Sequence, residues 1–157
     1  MVKLAQFYIL QQQHSPQQNA QQQNENSELS GQERQACELA ADAWRLGKRV
    51  LIACETEQQA LLLDEALWQR EPDQFVPHNL SGEITTYATP IEICWVGKRN
   101  SQRRDLLISL QSAVPDFVNS FNQVIDFVPE DEQQKNQARE RYKQYRQLGF
   151  ELITQQI

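Results

Sequence analysis

Residues 48–54, KRVLIAC, carry an unbroken apolar run of strand length between two helical patterns, and few folds accommodate that arrangement. Apolar residues without polar alternation predict a strand buried on both faces, the condition of a parallel sheet covered by helices. The flanking patterns supply those helices. Ahead of the run, Ser30 and Glu33 have the spacing of a capping box, in which each side chain satisfies an orphan backbone N–H. Ala36, Leu39, Ala40, Ala43 and Trp44 then recur at helical spacing, and Gly47 ends the pattern. After the run, Thr56 and Gln59 predict a second capping box, opening a helix with Ala60, Leu63, Leu67 and Trp68 along one side.

Further strands are expected at residues 4–10 (LAQFYIL), 91–96 (IEICWV), 105–110 (DLLISL) and 123–128 (QVIDFV), the last ending at Pro129. Asp131 is placed to cap a final helix reaching Leu148 and stopped at Gly149, before a short FELIT segment. Residues 69–90 read as irregular, broken by Pro72, Pro77, Gly82 and Pro90. Strands alternating with helical patterns predict βαβ units: an α/β domain spanning 1–157, with a mainly parallel central sheet and helices on both faces. A chain of 157 residues suits one core. Within it, residues 11–28 hold eight Gln and three Asn with Ala20 as the only small apolar residue, and read as a flexible surface loop in the first βα connection.

The formal net charge is -6, which argues against nucleic acid as the main ligand but leaves room for a local basic patch. Cys37, Cys54 and Cys94 are widely spaced in apolar contexts, with no zinc-like pattern, and read as buried free thiols in a reducing compartment. The opening MVKLAQFYIL is short for a signal peptide, and no apolar run approaches the ~18 residues of a membrane span. A cytoplasmic location without membrane attachment is the expectation.

An open α/β sheet raises the question of nucleotide binding at the carboxyl ends of its strands. A phosphate cradle needs clustered glycines, and the five here (Gly31, Gly47, Gly82, Gly97, Gly149) are dispersed. Asp42 stands where the Gly47-Lys48 pair would need an earlier glycine, and that pair precedes a strand rather than following one. A nucleotide-dependent α/β enzyme is therefore the alternative reading, and no cofactor is expected. His14 and His78 have no evident nucleophile beside them, Asp64 and Glu65 point in different directions, and Asp126 inside a strand suits a hydrogen-bonded structural role. No catalytic or metal-binding constellation emerges.

Surface recognition remains. Along the last helix, Lys135, Arg139, Tyr142, Lys143 and Arg146 share one face, with Arg141 a fifth positive charge nearby and Glu140 the only acid among 133–148. A solvated basic face is the plain explanation; against it stands the missing mixture of signs, which favours an anionic partner. A second cluster, Lys98, Arg99, Arg103 and Arg104, reads on spacing as a solvated loop. Trp68 and Phe75 read by default as core, with a partner contact as the alternative.

The run GKRVLIACETEQQALLLDEALW, followed by FVPHNL, RRDLLISL and VIDFVPEDEQQKNQARERYKQYRQLGF, closely resembles the chi-subunit family of bacterial DNA polymerase III holoenzyme. The likeness covers most of 29–150 in order and begins with the FYIL strand; the tract at 11–28 is longer than the family pattern. The resemblance implies a nucleotide-binding-like fold without nucleotide binding, and a non-catalytic adaptor in replication. It implies two partners: the psi subunit, linking to the clamp loader, and the acidic C-terminal tail of single-stranded DNA-binding protein, with DNA met only indirectly. By matching position, the tail site would use Lys135, Arg139, Tyr142, Lys143 and Arg146, with Val128 lining its apolar pocket. The psi surface would include Trp68 and Phe75, which moves both from core to interface.

Overall fold

The computed structural model describes residues 2–10, 29–70, 74–83, 89–98 and 104–157. The Gln/Asn-rich tract at 11–28 lies outside these residues, as do Arg99 and Arg103 of the second basic cluster. Among the described residues seven strands form one sheet: β1 Leu4–Ile9, β2 Val50–Cys54, β3 His78–Leu80, β4 Ile91–Trp95, β5 Leu106–Ser109, β6 Gln123–Val128 and β7 Glu151–Gln156. Their order is β3-β4-β2-β5-β6-β1-β7, and every pairing is parallel. Three helices complete the fold: α1 Gly31–Arg45, α2 Glu57–Trp68 and α3 Glu132–Gln147.

The expected central strand is β2, every residue of which is buried. Helices cover both sheet faces, because parallel strands need crossovers and each crossover must bury its own apolar stripe. Ala36 and Ala40 of α1 and Leu63 and Leu67 of α2 pack with Ile52, Ile91 and Ile93 on one face. Tyr145 of α3 packs with Phe7, Leu51 and Phe121 on the other. All three cysteines are buried.

The caps behave as their chemistry requires, with one shift. Ser30 and Glu33 satisfy each other's backbone N–H groups, closing the α1 box. At α2 the Thr56 hydroxyl accepts from Gln59 N–H, but the Gln59 side-chain oxygen takes the N–H of Glu55 rather than that of Thr56. Its amide nitrogen then donates to Glu33 at 3.0 Å, which ties the starts of the two helices together. Asp131 caps α3 through Gln134 N–H at 3.0 Å. Gly149, at φ +93, turns the chain from α3 into β7 through a backbone conformation that side chains other than glycine's strain to adopt.

Two strands depart from the sequence expectation. β3 falls inside the segment read as irregular, three residues long and pinned to β4, with Ser81 N–H donating to Ile93 O at 2.8 Å just beyond it. β7 arises from the FELIT segment and joins the sheet beside β1. Its side chains are mostly exposed, so backbone hydrogen bonds rather than apolar burial define it as a strand.

Candidate peptide-binding groove and aromatic patch

α3 settles on the sheet through Ala138, Arg141 and Tyr145, its three buried residues. Phe7 anchors it edge-on, with ring centroids 5.4 Å from Tyr142 and 5.7 Å from Tyr145. Arg141 fixes the rotation of the helix. Its Nε donates to Asp126 Oδ2 at 2.8 Å and Nη2 to Oδ1 at 3.1 Å, a bidentate pair; further donations reach Ser112 O and Phe127 O. Arg141 is therefore not the fifth charge of the exposed row: it is buried, and a buried carboxylate on β6 requires its guanidinium. Burial pushes the Asp126 carboxyl up, and the guanidinium opposes that by stabilising the charged form.

With Arg141 turned toward β5 and β6, helical geometry sends Lys135, Arg139, Lys143 and Arg146 to the opposite flank, over β1 and β7. A groove of about 810 Å³ opens there. Phe7, Ile9, Val128 and Thr154 contribute to its lining from the sheet side. Tyr142 closes one wall, and Lys135, Arg139 and Lys143 line the helix side. Arg146 is exposed on the same flank but lies outside the lining. The cations are loosely held: Lys135 is 3.9 Å from Glu132, Lys143 is 3.5 Å from Glu140, and Arg139 donates to Asn136 at 2.8 Å. Exposed pairs of this kind contribute little and exchange readily for a better anion. Positive charge thus lines an apolar trough, an arrangement suited to a short anionic peptide with an apolar end.

At the far edge of the sheet, Trp68 ends α2 with 58% of its surface exposed. Its ring lies 5.1 Å from Phe75 and 5.3 Å from His78, forming a patch of three rings. His78 is fixed from both sides. Its Nδ1 faces the carbonyl of Val76 at 2.8 Å and so carries a hydrogen, while Nε2 lies 3.2 Å from Asp64 Oδ1, a contact that attracts when a proton sits between the two. Burial raises the Asp64 carboxyl and His78 pulls it back. This contact binds α2 to β3, and the sequence reading missed it because Asp64 and His78 are 14 residues apart across an irregular segment. Neither Trp68 nor Phe75 belongs to the fully buried core.

Arg104, read as part of a solvated loop, is buried. Its Nη1 donates to Thr89 O at 2.8 Å and Pro90 O at 3.0 Å, and Nη2 lies 3.5 Å from Glu92. Burial lowers its pKa, against the pull of Glu92. Buried Glu92 in β4 needs this counter-charge just as Asp126 needs Arg141.

The carboxyl ends of β2, β5 and β6, where sheets of this class bind nucleotides, are crossed by polar side chains. Glu55 accepts from Ser112 N–H and hydroxyl at 2.9 and 2.8 Å, and Gln111 donates to Cys54 O at 3.1 Å. A carboxylate at that position repels phosphate. Among the described residues no His, Cys, Asp and Glu group has metal-ligating geometry, and no helix is long and apolar enough to cross a membrane.

Fold and surfaces together define an α/β domain on a parallel, nucleotide-fold-like sheet, with a cation-lined groove on one face and an aromatic patch at the far edge. Residues 2–153 match the family described as DNA polymerase III chi subunit, HolC. The chain is 59% identical to DNA polymerase III subunit chi of Haemophilus influenzae, over all of this chain and 99% of that one. It is 56% identical to the Escherichia coli subunit of that name, over 80% of this chain and 86% of that one. This chain belongs to the DNA polymerase III chi subunit family. Among solved structures, T4 UvsW shares the fold at a TM-score of 0.64 and 9% identity, matching 99% of this chain and 41% of that longer one.

Proposed function

We propose that this protein is a non-catalytic adaptor of the replicative polymerase, joining the psi subunit to the acidic C-terminal tail of single-stranded DNA-binding protein. The observation that carries this reading is the separation of two unlike surfaces. The groove lies beside β1 and β7 under α3, and the aromatic patch lies at β3 beside α2, on the opposite face and at the opposite edge. Six strand spacings of about 4.8 Å separate the edges, roughly 29 Å, so two partners fit without competing.

In the groove, Lys135, Arg139, Lys143 and Arg146 meet the tail's carboxylates, and Tyr142 and Val128 border the space for its apolar terminal residue. Exposed ion pairs give ~0–1 kcal/mol each, too little for charge alone. Burial of a terminal aromatic ring adds roughly 1.5–3 kcal/mol and selects for the end of the chain. These terms sum to about 7 kcal/mol at most, before the cost of association, so a single tail binds weakly and many tails on one DNA strand raise retention through effective concentration. Trp68 and Phe75 serve psi, as exposed aromatic rings commonly anchor protein interfaces.

The test is co-purification with psi, followed by titration of the pair with a labelled acidic peptide ending in Phe. Tail binding that is undiminished by Arg139→Ala would remove the groove from the account.

A further inference from the structure

The two edges of the sheet are finished differently. In a parallel ladder, one residue directs both backbone polar groups to one neighbour and the next residue directs its pair to the other side. At β3, Ser81 bonds inward to Ile93, so the groups of Leu80 face out. Side chains of the same protein cover them: Leu80 N–H donates to Glu83 Oε1 at 2.6 Å, and Asn79 Nδ2 donates to Leu80 O at 2.9 Å. Among the described residues no side chain covers Leu152 and Thr154 of β7 in this way. Glu151 N–H donates to Lys3 O at 2.7 Å and Ile157 N–H to Ile9 O at 3.2 Å, so the groups of Leu152 and Thr154 point away from β1. Among the described residues none of these outward groups has a hydrogen-bond partner. An open edge of this length is normally blunted by proline, charge or a covering segment. β7 has no proline, and its one charged residue is Glu151.

The open edge runs beneath the cation row. Arg141 points toward β5 and β6, and Lys135, Arg139, Lys143 and Arg146 overhang the other side, where Thr154 of β7 lines the groove. Unpaired backbone and four cations therefore border the same space. Charge complementarity selects an acidic extended chain as the occupant.

We propose that the anionic peptide is held as an eighth strand on β7, its backbone paired to Leu152 and Thr154 and its carboxylates under the cations of α3. This rests on the reading of the groove as an acidic-tail site and adds how the tail is held. α3 runs back against the strands, so Lys143 and Arg146 lie toward the start of β7 and Lys135 toward its end. A peptide with its carboxylates beneath Lys143 and Arg146 and its last residue toward Lys135 runs parallel to β7. Alternate side chains then face α3, and main-chain pairing sets the register.

The test uses the full chain and an acidic peptide ending in Phe with a free carboxylate. Saturation is expected to slow amide exchange at Leu152 and Thr154 by about tenfold, as two new hydrogen bonds would. Thr154→Pro removes an outward N–H at an edge position where proline is sterically tolerated, and is expected to weaken binding about tenfold. Thr154→Val keeps that N–H and loses less. N-methylation of the peptide's backbone is expected to weaken binding at every second amide. If the peptide binds, Arg139→Ala weakens it, yet both amides exchange unchanged and Thr154→Pro matches wild type, the groove reading survives and strand addition is overturned. If the peptide does not bind the wild-type chain, both readings fall. Self-association that protects the same amides before peptide is added would assign the edge to a second copy and overturn the proposal.

Discussion

The groove under α3 and the patch beside β3 are built on opposite plans. The groove keeps its aromatic rings below and presents its cations above; Tyr142 packs against Phe7 and is only partly exposed. The patch puts Trp68 outward and hides its polar pair, His78 and Asp64, behind the rings. On the proposed assignment, recognition in the groove is led by screened charge and recognition at the patch by desolvation. The first should respond steeply to salt and the second weakly. In both, a buried polar contact fixes the geometry of an exposed one: Arg141 for the cation row, His78 for the stacked rings.

The largest expected effect strikes the support of the groove. Arg141→Ala leaves Asp126 uncompensated in the core and should lower stability by roughly 3–5 kcal/mol in urea denaturation. Arg139→Ala, two residues away but exposed, should change stability by no more than about 0.5 kcal/mol. Equal losses in the two variants would contradict their assignment to opposite flanks of α3. At the patch, Trp68→Ala should weaken psi binding by about 2 kcal/mol, near thirtyfold by calorimetry, and leave tail-peptide affinity unchanged. In the groove, Arg139→Ala should weaken the peptide by about 1 kcal/mol, roughly fivefold, and leave psi binding unchanged. Raising salt from 0.05 to about 0.5 M should erode peptide binding well before it touches the psi complex, because screening acts on exposed charge.

The smallest effect at neutral pH comes from the core shared by both regions. Burial pushes the Cys37 thiol from 9.0 up to about 12, and Cys54 shifts in the same direction. A thiol raised on folding favours the protonated native state. Its contribution is complete below pH 9.0 and is lost as pH rises toward about 12. Denaturation midpoints should therefore fall across that alkaline window, and thiol labelling at neutral pH should track unfolding.

Much of the architecture was legible because burial and capping write themselves into sequence. The unbroken apolar run of β2 and the caps at Ser30 and Asp131 predicted elements that form as expected. β3 and β7 were missed for the same reason: each is defined by backbone pairing at an edge, which leaves little apolar signal. The cation row was readable at helical spacing, but spacing alone could not decide which arginine faces inward. A signal did exist. Ala138, Arg141 and Tyr145 fall at i, i+3 and i+7, the buried stripe, and Asp126 within a buried strand called for a counter-charge. Arg104 and Glu92 repeat that logic. The floor of the groove, Phe7 and Ile9 beside Thr154, depends on strand order, which no local pattern carries.

The central claim is that one chain holds two partners at once. The direct measurement immobilises the acidic tail peptide and asks whether psi is retained. Psi alone should pass through, and psi with this protein should be held in equal proportion to it. Arg139→Ala should reduce retention of both proteins, whereas Trp68→Ala should release psi and leave this chain bound. Retention of psi that is indifferent to both substitutions, or displacement of the peptide when psi binds, would contradict the adaptor.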